Sequence, residues 1–478
     1  MKRPPRRDED REPWTLDRRQ LLRLGAGAGA SALALSGCGA LTPGLRLSFG
    51  EERADARARL EGVDHLVVVM MENRSFDHYL GALAWDPDYP SRAAVEGLRG
   101  EELNPDSDGR MVASARLNVD RTINPPHSWE ASHAQFDGGR LDAFVRSARS
   151  AFCEAPRQAI GYFDRERLPI LYALADQYTV CDHWFSSVMG PTWPNRFYLH
   201  AATSWAHRAY WPNLDPGAVT IWDLMRQGGV EARYYRAGLL PWFSGAFIGK
   251  TMANAGVSAR TLEQFFADAR KGDLPSFAMV EPDFFSSDDH PPHHVSLGQA
   301  FIGTVARALG DSPSWARTLL VVTYDEHGGF FDHVAPPRVV DVRRDFTQLG
   351  FRVPTLLIGP RVRAGAVHSE VLEHVSVAAT MACRFGLPPL TARMASAPDF
   401  SAAIRPPGEG GLLPPPKLEP MRIEKTDAVA TVGRDSQPEL TELARRVPLE
   451  QVDQRSPEER FQGWLRAAQE FEVVKVTG

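Results

Sequence analysis

Four short runs dominated by apolar, largely β-branched residues constrain this chain more than any other feature. They are Val63–Met71, Phe277–Val280, Thr318–Tyr324 and Pro354–Ile358. A strand with one wet face alternates apolar and polar residues, whereas a continuous apolar run must be buried on both faces, as in a parallel sheet. Helical spacing of apolar residues marks the intervals at Leu168–Gln177, Leu262–Arg270, Leu297–Leu309 and Val371–Phe385. Strands that alternate with helices predict an α/β layered fold with a mostly parallel central sheet. Residues 85–125 and 205–260 are rich in Pro, Gly, Trp and Asp and keep no steady period, so both are expected to be insertions that shape a cleft. Residues 405–420 form a Pro-rich linker, with Pro406-Pro407 and Pro414-Pro415-Pro416. Beyond it, Ser456-Pro457-Glu458-Glu459 is a capping box with proline at the first helical position. The helix it opens would turn Phe461, Trp464, Leu465, Ala468 and Phe471 onto the body. At 478 residues and 43% hydrophobic content, the chain can bury a large core.

The amino end carries an export pattern. Arg3, Arg6 and Arg7 precede Arg18-Arg19-Gln20-Leu21-Leu22, and a small, mildly apolar stretch follows from Leu24 to Gly37. That stretch is too short for a spanning helix, which needs about 20 residues. The paired arginines resemble a twin-arginine signal over residues 1–37. Leu35-Ser36-Gly37-Cys38 resembles a lipobox, which would anchor the mature protein to a membrane through a lipidated Cys38. An ordinary cleavage between Ala40 and Gly44, with Cys38 incidental, stays open. Residues 38–60 read as a linker. Cys153, Cys181 and Cys383 lack metal-site spacing; one disulfide is possible, and buried free thiols fit better. The net charge of −6 offers no basic field for nucleic acid.

Ligands of open α/β sheets bind beyond the carboxyl ends of the strands, and polar clusters stand there. Glu72-Asn73-Arg74-Ser75-Phe76-Asp77-His78 follows the first run, and Asp325-Glu326-His327-Gly328-Gly329 follows the third. Asp288-Asp289-His290 lies after the second, and Gly190-Pro191-Thr192-Trp193-Pro194-Asn195-Arg196 follows the apolar residues around Val180. Carboxylate and amide oxygens suit a hard divalent cation. Beside such an ion, the Thr192 hydroxyl would become a nucleophile, with histidines to protonate a leaving group and activate water. Each cluster taken singly also reads as a structural loop.

The strings themselves are more specific. Val67-Val68-Val69-Met70-Met71-Glu72-Asn73-Arg74-Ser75-Phe76-Asp77-His78-Tyr79 resembles the opening signature of the bacterial phospholipase C and acid phosphatase family of phosphoesterases. Gly190–Tyr198 resembles that family's nucleophile motif. His290-Pro291-Pro292 and Thr323–Val334 resemble its later blocks, in the same order. The resemblance implies an alkaline-phosphatase-like three-layer α/β/α sandwich over residues 61–404, with 405–478 as linker and helical extension. It implies one divalent ion, Ca²⁺ or Mg²⁺/Mn²⁺ with Zn²⁺ possible, held by Glu72, Asn73, Thr192 and Asp325. Thr192 would be the nucleophile that carries a phospho-intermediate, with His127, His290 and Glu326 as catalytic partners and Arg74, Ser75, Asp77 and His78 bracing the loop. Thr at position 192 matches phospholipase C members, where phosphatase members carry Ser. His327 occupies a place that is often not histidine. The longer phospholipases carry extra C-terminal β-domains beyond the point where this chain ends. The expected activity is an exported phospholipase C acting on glycerophospholipids, with a broad acid phosphatase for soluble monoesters as the alternative.

Overall fold

The apolar runs form the middle of one eight-stranded sheet. The computed structural model describes residues 53–209, 218–239, 258–424, 441–442, 445 and 452–477; the export segment and Cys38 lie outside the described residues. The strands are β1 (His65–Met71), β2 (Thr179–Cys181), β3 (Ala232–Arg236), β4 (Ser258–Thr261), β5 (Phe277–Glu281), β6 (Thr318–Tyr324), β7 (Leu356–Ile358) and β8 (Ala366–His368). Their spatial order is β8-β2-β7-β6-β1-β5-β3-β4. β1 runs parallel to both neighbours, with Val67 opposite Leu320 of β6 and Ala278 of β5. β7 alone is reversed, pairing antiparallel with β6 and β2, while the remaining pairs are parallel. All residues of β5 and β6 are buried, which is what continuous apolar runs require.

Helices cover both faces. They are α1 (Trp129–Phe136), α2 (Pro169–Gln177), α3 (Thr192–Ala201), α4 (Ile221–Gln227), α5 (Leu262–Lys271), α6 (Val295–Gly310), α7 (Val375–Phe385) and α8 (Pro457–Glu470). α6 packs with α2, α5 and α8, while α3 packs with α4 and α7, so the sheet lies between two helical layers. The predicted three-layer α/β/α order is therefore present. The capping box at Ser456 and Glu459 forms, and α8 docks through buried Phe461, Trp464 and Leu465. Trp464 Nε1 donates to Ser286 Oγ at 3.4 Å. Among the described residues no helix is long and apolar enough to cross a membrane.

Two sequence expectations need correction. The stretch 205–260 is not merely an irregular insertion, because it contributes α4, β3 and β4. β3 reads Ala-Arg-Tyr-Tyr-Arg and shows no apolar run. Its arginines are buried because they are paired: Arg233 meets Asp268 at 3.1 Å, and Arg236 donates to the Gly238 carbonyl at 2.7 Å. Internal partners thus hid a sheet strand behind a polar sequence. The three cysteines are free thiols, but only Cys181 is buried; Cys153 and Cys383 are half-buried.

Candidate active site

Adjacent parallel strands end on the same side of a sheet, so the residues after β1, β6 and β5 converge. Glu72 and Asn73 leave β1, Asp325 and Glu326 leave β6, and α3 starts at Thr192 opposite them. Thr192 is the first residue of its helix, so its hydroxyl sits where the unpaired N–H groups and the helix dipole favour negative charge. Asn195 holds this turn: its amide donates to the carbonyls of Gly190 (3.0 Å) and Pro191 (3.1 Å) and accepts from the Val188 N–H (2.9 Å).

Thr192 Oγ1 donates to Glu72 Oε2 at 3.1 Å. The other oxygen of Glu72 is held by Arg196, whose Nε and a terminal nitrogen reach it at 2.9 and 2.5 Å. Asp325 Oδ1 accepts the N–H of Asn73 (2.9 Å) and of Glu326 (2.7 Å). Burial, followed by the neighbouring Asp325, pushes the Glu72 carboxyl well above the usual range; burial also raises Asp325, against the pull of Arg196. Asn73 Oδ1, Asp325 Oδ2, Glu326 Oε1 and Asp288 Oδ2 are buried and make no hydrogen bond. Buried carboxylate oxygens without partners are costly unless a cation completes them. Hard oxygen donors from Glu72, Asn73, Thr192 and Asp325 fit a divalent metal ion of the Ca²⁺ or Mg²⁺ kind.

The histidines sit nearer the surface. Thr192 and His127 are 5% exposed and His290 4%, whereas Glu72, Asn73, Asp325 and Glu326 are fully buried, so the first three are the ones that keep some contact with solvent. His127 Nδ1 donates to the Pro125 carbonyl at 2.7 Å, which leaves Nε2 to accept from the Asn73 amide at 3.2 Å. That contact turns Asn73 Oδ1 away from His127. His290 Nδ1 donates to the Pro291 carbonyl at 2.6 Å, and burial lowers its pKa to about 3. Its ring is therefore neutral, with Nε2 unprotonated. The rings of His127 and His290 lie 6.3 Å apart.

The ring of His327 stands beside Glu326 in an orientation fixed by Gln135. Gln135 Nε2 donates to the Pro126 carbonyl (2.8 Å), so its Oε1 must accept from His327 Nε2 (2.8 Å). His327 Nδ1 then carries the lone pair, and Glu326 Oε2 lies 3.1 Å from it. Glu326 Oε2 accepts the Gly328 N–H at 2.8 Å, and burial raises the Glu326 carboxyl to about 8.

The backbone around these groups is tight. Asn73 adopts a left-handed φ of 60°, a conformation Asn tolerates better than most residues. Gly328, at φ 64°, lies so close that a Cβ there would meet the Asn73 carbonyl oxygen at 2.2 Å. Gly328→Ala is expected to lower turnover about 10²-fold, because displacing Asn73 misplaces the site. Gly109→Ala, also at positive φ but with nothing within 4 Å, should lose stability and keep its turnover per folded molecule. Kinetics paired with thermal melts on both variants decides this; equal turnover in the two would contradict it.

All seven expected site residues, Glu72, Asn73, His127, Thr192, His290, Asp325 and Glu326, come together here. The bracing residues do brace: Ser75 Oγ donates to the Phe331 carbonyl (2.6 Å), and Arg74 holds the Asp289 carbonyl (2.7 Å). Three contributors went unassigned in the sequence. Arg196 was in the motif, one helical turn from Thr192, and that spacing could have revealed it. Asp288, with its partnerless oxygen, stood in a strand-end cluster without an assigned role, and His374, which meets the Asp325 carbonyl oxygen at 2.7 Å, carried no signal. Asp77, Asp332 and His333 form another cluster with metal-ligand spacing. There Arg352 already donates to Asp77 at 3.0 Å and Asp332 at 2.8 Å, so an internal cation neutralises it.

Known proteins resemble the chain as follows. The model of the Phosphoesterase family matches residues 63–388. Non-specific phospholipase C1 of Arabidopsis thaliana is 33% identical over 71% of this chain and 70% of its own. Phospholipase C B of Mycobacterium tuberculosis is 30% identical over 78% of this chain and 82% of its own. Among solved structures, a protein in the alkaline phosphatase superfamily from Vibrio parahaemolyticus aligns with TM-score 0.32 and 14% identity, covering 71% of this chain and 77% of that one.

Proposed function

This chain belongs to the phosphoesterase family, and on that premise we propose that it is an exported, metal-dependent phospholipase C. It would hydrolyse glycerophospholipids to diacylglycerol and a phosphorylated head group. The observation that carries this reading is the Thr192 hydroxyl at a helix N-terminus, bonded to Glu72 and ringed by buried oxygens without partners. Similarity to proteins named as phospholipases C directs the reading to phosphodiesters.

Glu72, Asn73, Thr192 and Asp325 would hold the metal ion, which when bound lowers the pKa of the Thr192 hydroxyl and draws charge from a phosphoryl oxygen. Thr192 Oγ attacks phosphorus and gives its proton to Glu72 Oε2. The glycerol oxygen departs with the electrons of its P–O bond and takes that proton from Glu72, leaving a phosphothreonine that carries the head group. Water then attacks phosphorus and Thr192 Oγ leaves, taking the water's proton by way of His290 or His127. Hydrolysis of p-nitrophenyl phosphate, p-nitrophenyl phosphorylcholine and phosphatidylcholine, measured side by side, tests the reading. Preference for the two diesters supports it; turnover of the monoester alone would replace it with a phosphatase.

Export is part of the same proposal and rests on Arg18-Arg19 and Cys38. Arg18→Lys with Arg19→Lys should trap precursor in the cytoplasm, and Cys38→Ser should release soluble protein from the membrane. Fractionation with immunoblotting reads both, and normal export of the double-lysine variant would remove the twin-arginine assignment.

A further inference from the structure

An enzyme that cleaves a lipid must first seat on the bilayer, and a chain of net charge −6 has no general attraction to an anionic surface. A local exception stands near the Gly190–Thr192 turn. The loop Arg338-Val339-Val340-Asp341-Val342-Arg343-Arg344 exposes Val340 at 55% and Val342 at 74%, with Arg338, Arg343 and Arg344 also exposed around them. Its acidic residues cancel only part of this charge outward. Asp341 is turned in, accepting from Tyr198 at 2.8 Å and Arg393 at 3.0 Å. The following Asp345 is paired with Arg208 and lies 3.7 Å from Arg343, so Arg338 and Arg344 carry the loop's outward positive charge.

The loop is also fastened to the catalytic elements. Tyr198 belongs to α3, the helix that begins with Thr192. Arg393 is buried and spans Asp341, the Phe346 carbonyl (2.9 Å) and the Ser187 carbonyl (2.6 Å) ahead of the nucleophile turn. Phe346, just past the loop, packs on Trp129 with ring centroids 4.9 Å apart. Trp129 in turn lies 3.3 Å from where a Cβ would stand on Gly190. One aromatic ring therefore separates the loop base from the Gly190–Thr192 turn and from His127.

We propose that the Arg338–Arg344 loop is the surface through which this enzyme seats on an anionic phospholipid bilayer, its valines entering the acyl boundary and its arginines meeting lipid phosphates. Exposed apolar side chains flanked by cations favour this occupant, since apolar burial and attraction to anionic lipid act together. The inference rests on the phospholipase reading above.

The test uses the full chain in two formats. Flotation with vesicles of phosphatidylglycerol and phosphatidylcholine, on a Thr192→Val background so that lipid is not consumed, reads binding. Turnover of the same vesicles against soluble p-nitrophenyl phosphorylcholine, with Thr192 intact, reads function. Arg338→Ser with Arg344→Ser should weaken binding roughly 25-fold, about fivefold per arginine. Val340→Ser with Val342→Ser should weaken it about 10-fold. Both pairs should lower the ratio of vesicle to soluble turnover by at least the same factor. Arg422→Ser with Arg466→Ser removes two exposed arginines of the C-terminal segment and should change neither measurement. Wild-type binding and ratio in both loop pairs would overturn the docking surface while leaving a lipid-hydrolysing enzyme intact. An equal loss in the Arg422 and Arg466 pair would overturn it in favour of diffuse charge. A stable dimer that the valine changes dissociate would assign the loop to a second copy instead. If wild-type enzyme floats with anionic vesicles but cleaves no phospholipid, the phospholipase reading fails and the surface stands.

Discussion

Thr192→Val is expected to lower turnover by at least ~10³-fold, because covalent attack and metal activation act as a unit at one oxygen. Valine keeps the branched shape and removes only the hydroxyl that donates to Glu72 at 3.1 Å. Thr192 is the first residue of α3 and makes no side-chain cap there, since its N-cap is Pro191. The helix therefore has little to lose from the substitution. A purely structural Thr192 predicts the opposite pattern, with lower stability and near-normal turnover per folded molecule. Thr192→Ser restores the oxygen and loses the methyl that restricts its rotamer, so partial activity should return. Mass spectrometry of acid-quenched enzyme should find the phosphorylated head group on residue 192 during turnover in wild type and in the Ser variant. More than a tenth of wild-type turnover in the Val variant would refute the assignment.

Chelation is expected to abolish turnover, and added Ca²⁺, Mg²⁺ or Mn²⁺ to restore it. The pH dependence of that restoration follows from the buried carboxyls. Glu72 and Asp325 lie above the usual carboxylate range, and Glu326 is raised to about 8, in each case chiefly by burial. A cation on Glu72 and Asp325 competes with protons for their oxygens, so its affinity should rise with pH and binding should release protons. The sign for stability is opposite. A carboxyl whose folded-state pKa is raised binds its proton more tightly when folded. For Glu326, stability of the chelated enzyme is then fully present below about pH 4.5 and falls as pH rises toward about 8. Melting curves of chelated enzyme should shift downward across that window, and a divalent ion should raise the midpoint more at pH 8 than at pH 5. A stabilisation by metal that is larger at pH 5, or full activity after exhaustive chelation, would contradict the metal site.

Local pattern carried much of the architecture. The apolar runs placed β1, β5 and β6 because a strand buried on both faces admits few polar residues. The capping box placed the start of α8, since its hydrogen bonds lie within four consecutive residues. The motif strings named the residues that converge at the site, because chemistry restricts which side chains can serve. What the sequence could not contain is the set of partners each charged group finds across the fold. β3 looked like a polar insertion until Asp268 and the Gly238 carbonyl supplied partners for its arginines. Arg196 reaches Glu72, 124 positions away, and Gln135 orders the His327–Glu326 pair from 192 positions away from His327. Strand order sets those distances, and it places β1 between β6 and β5. Burial, the free energy of a buried charge and the freedom of a loop tip depend on what packs around them, and only the tertiary structure decides that.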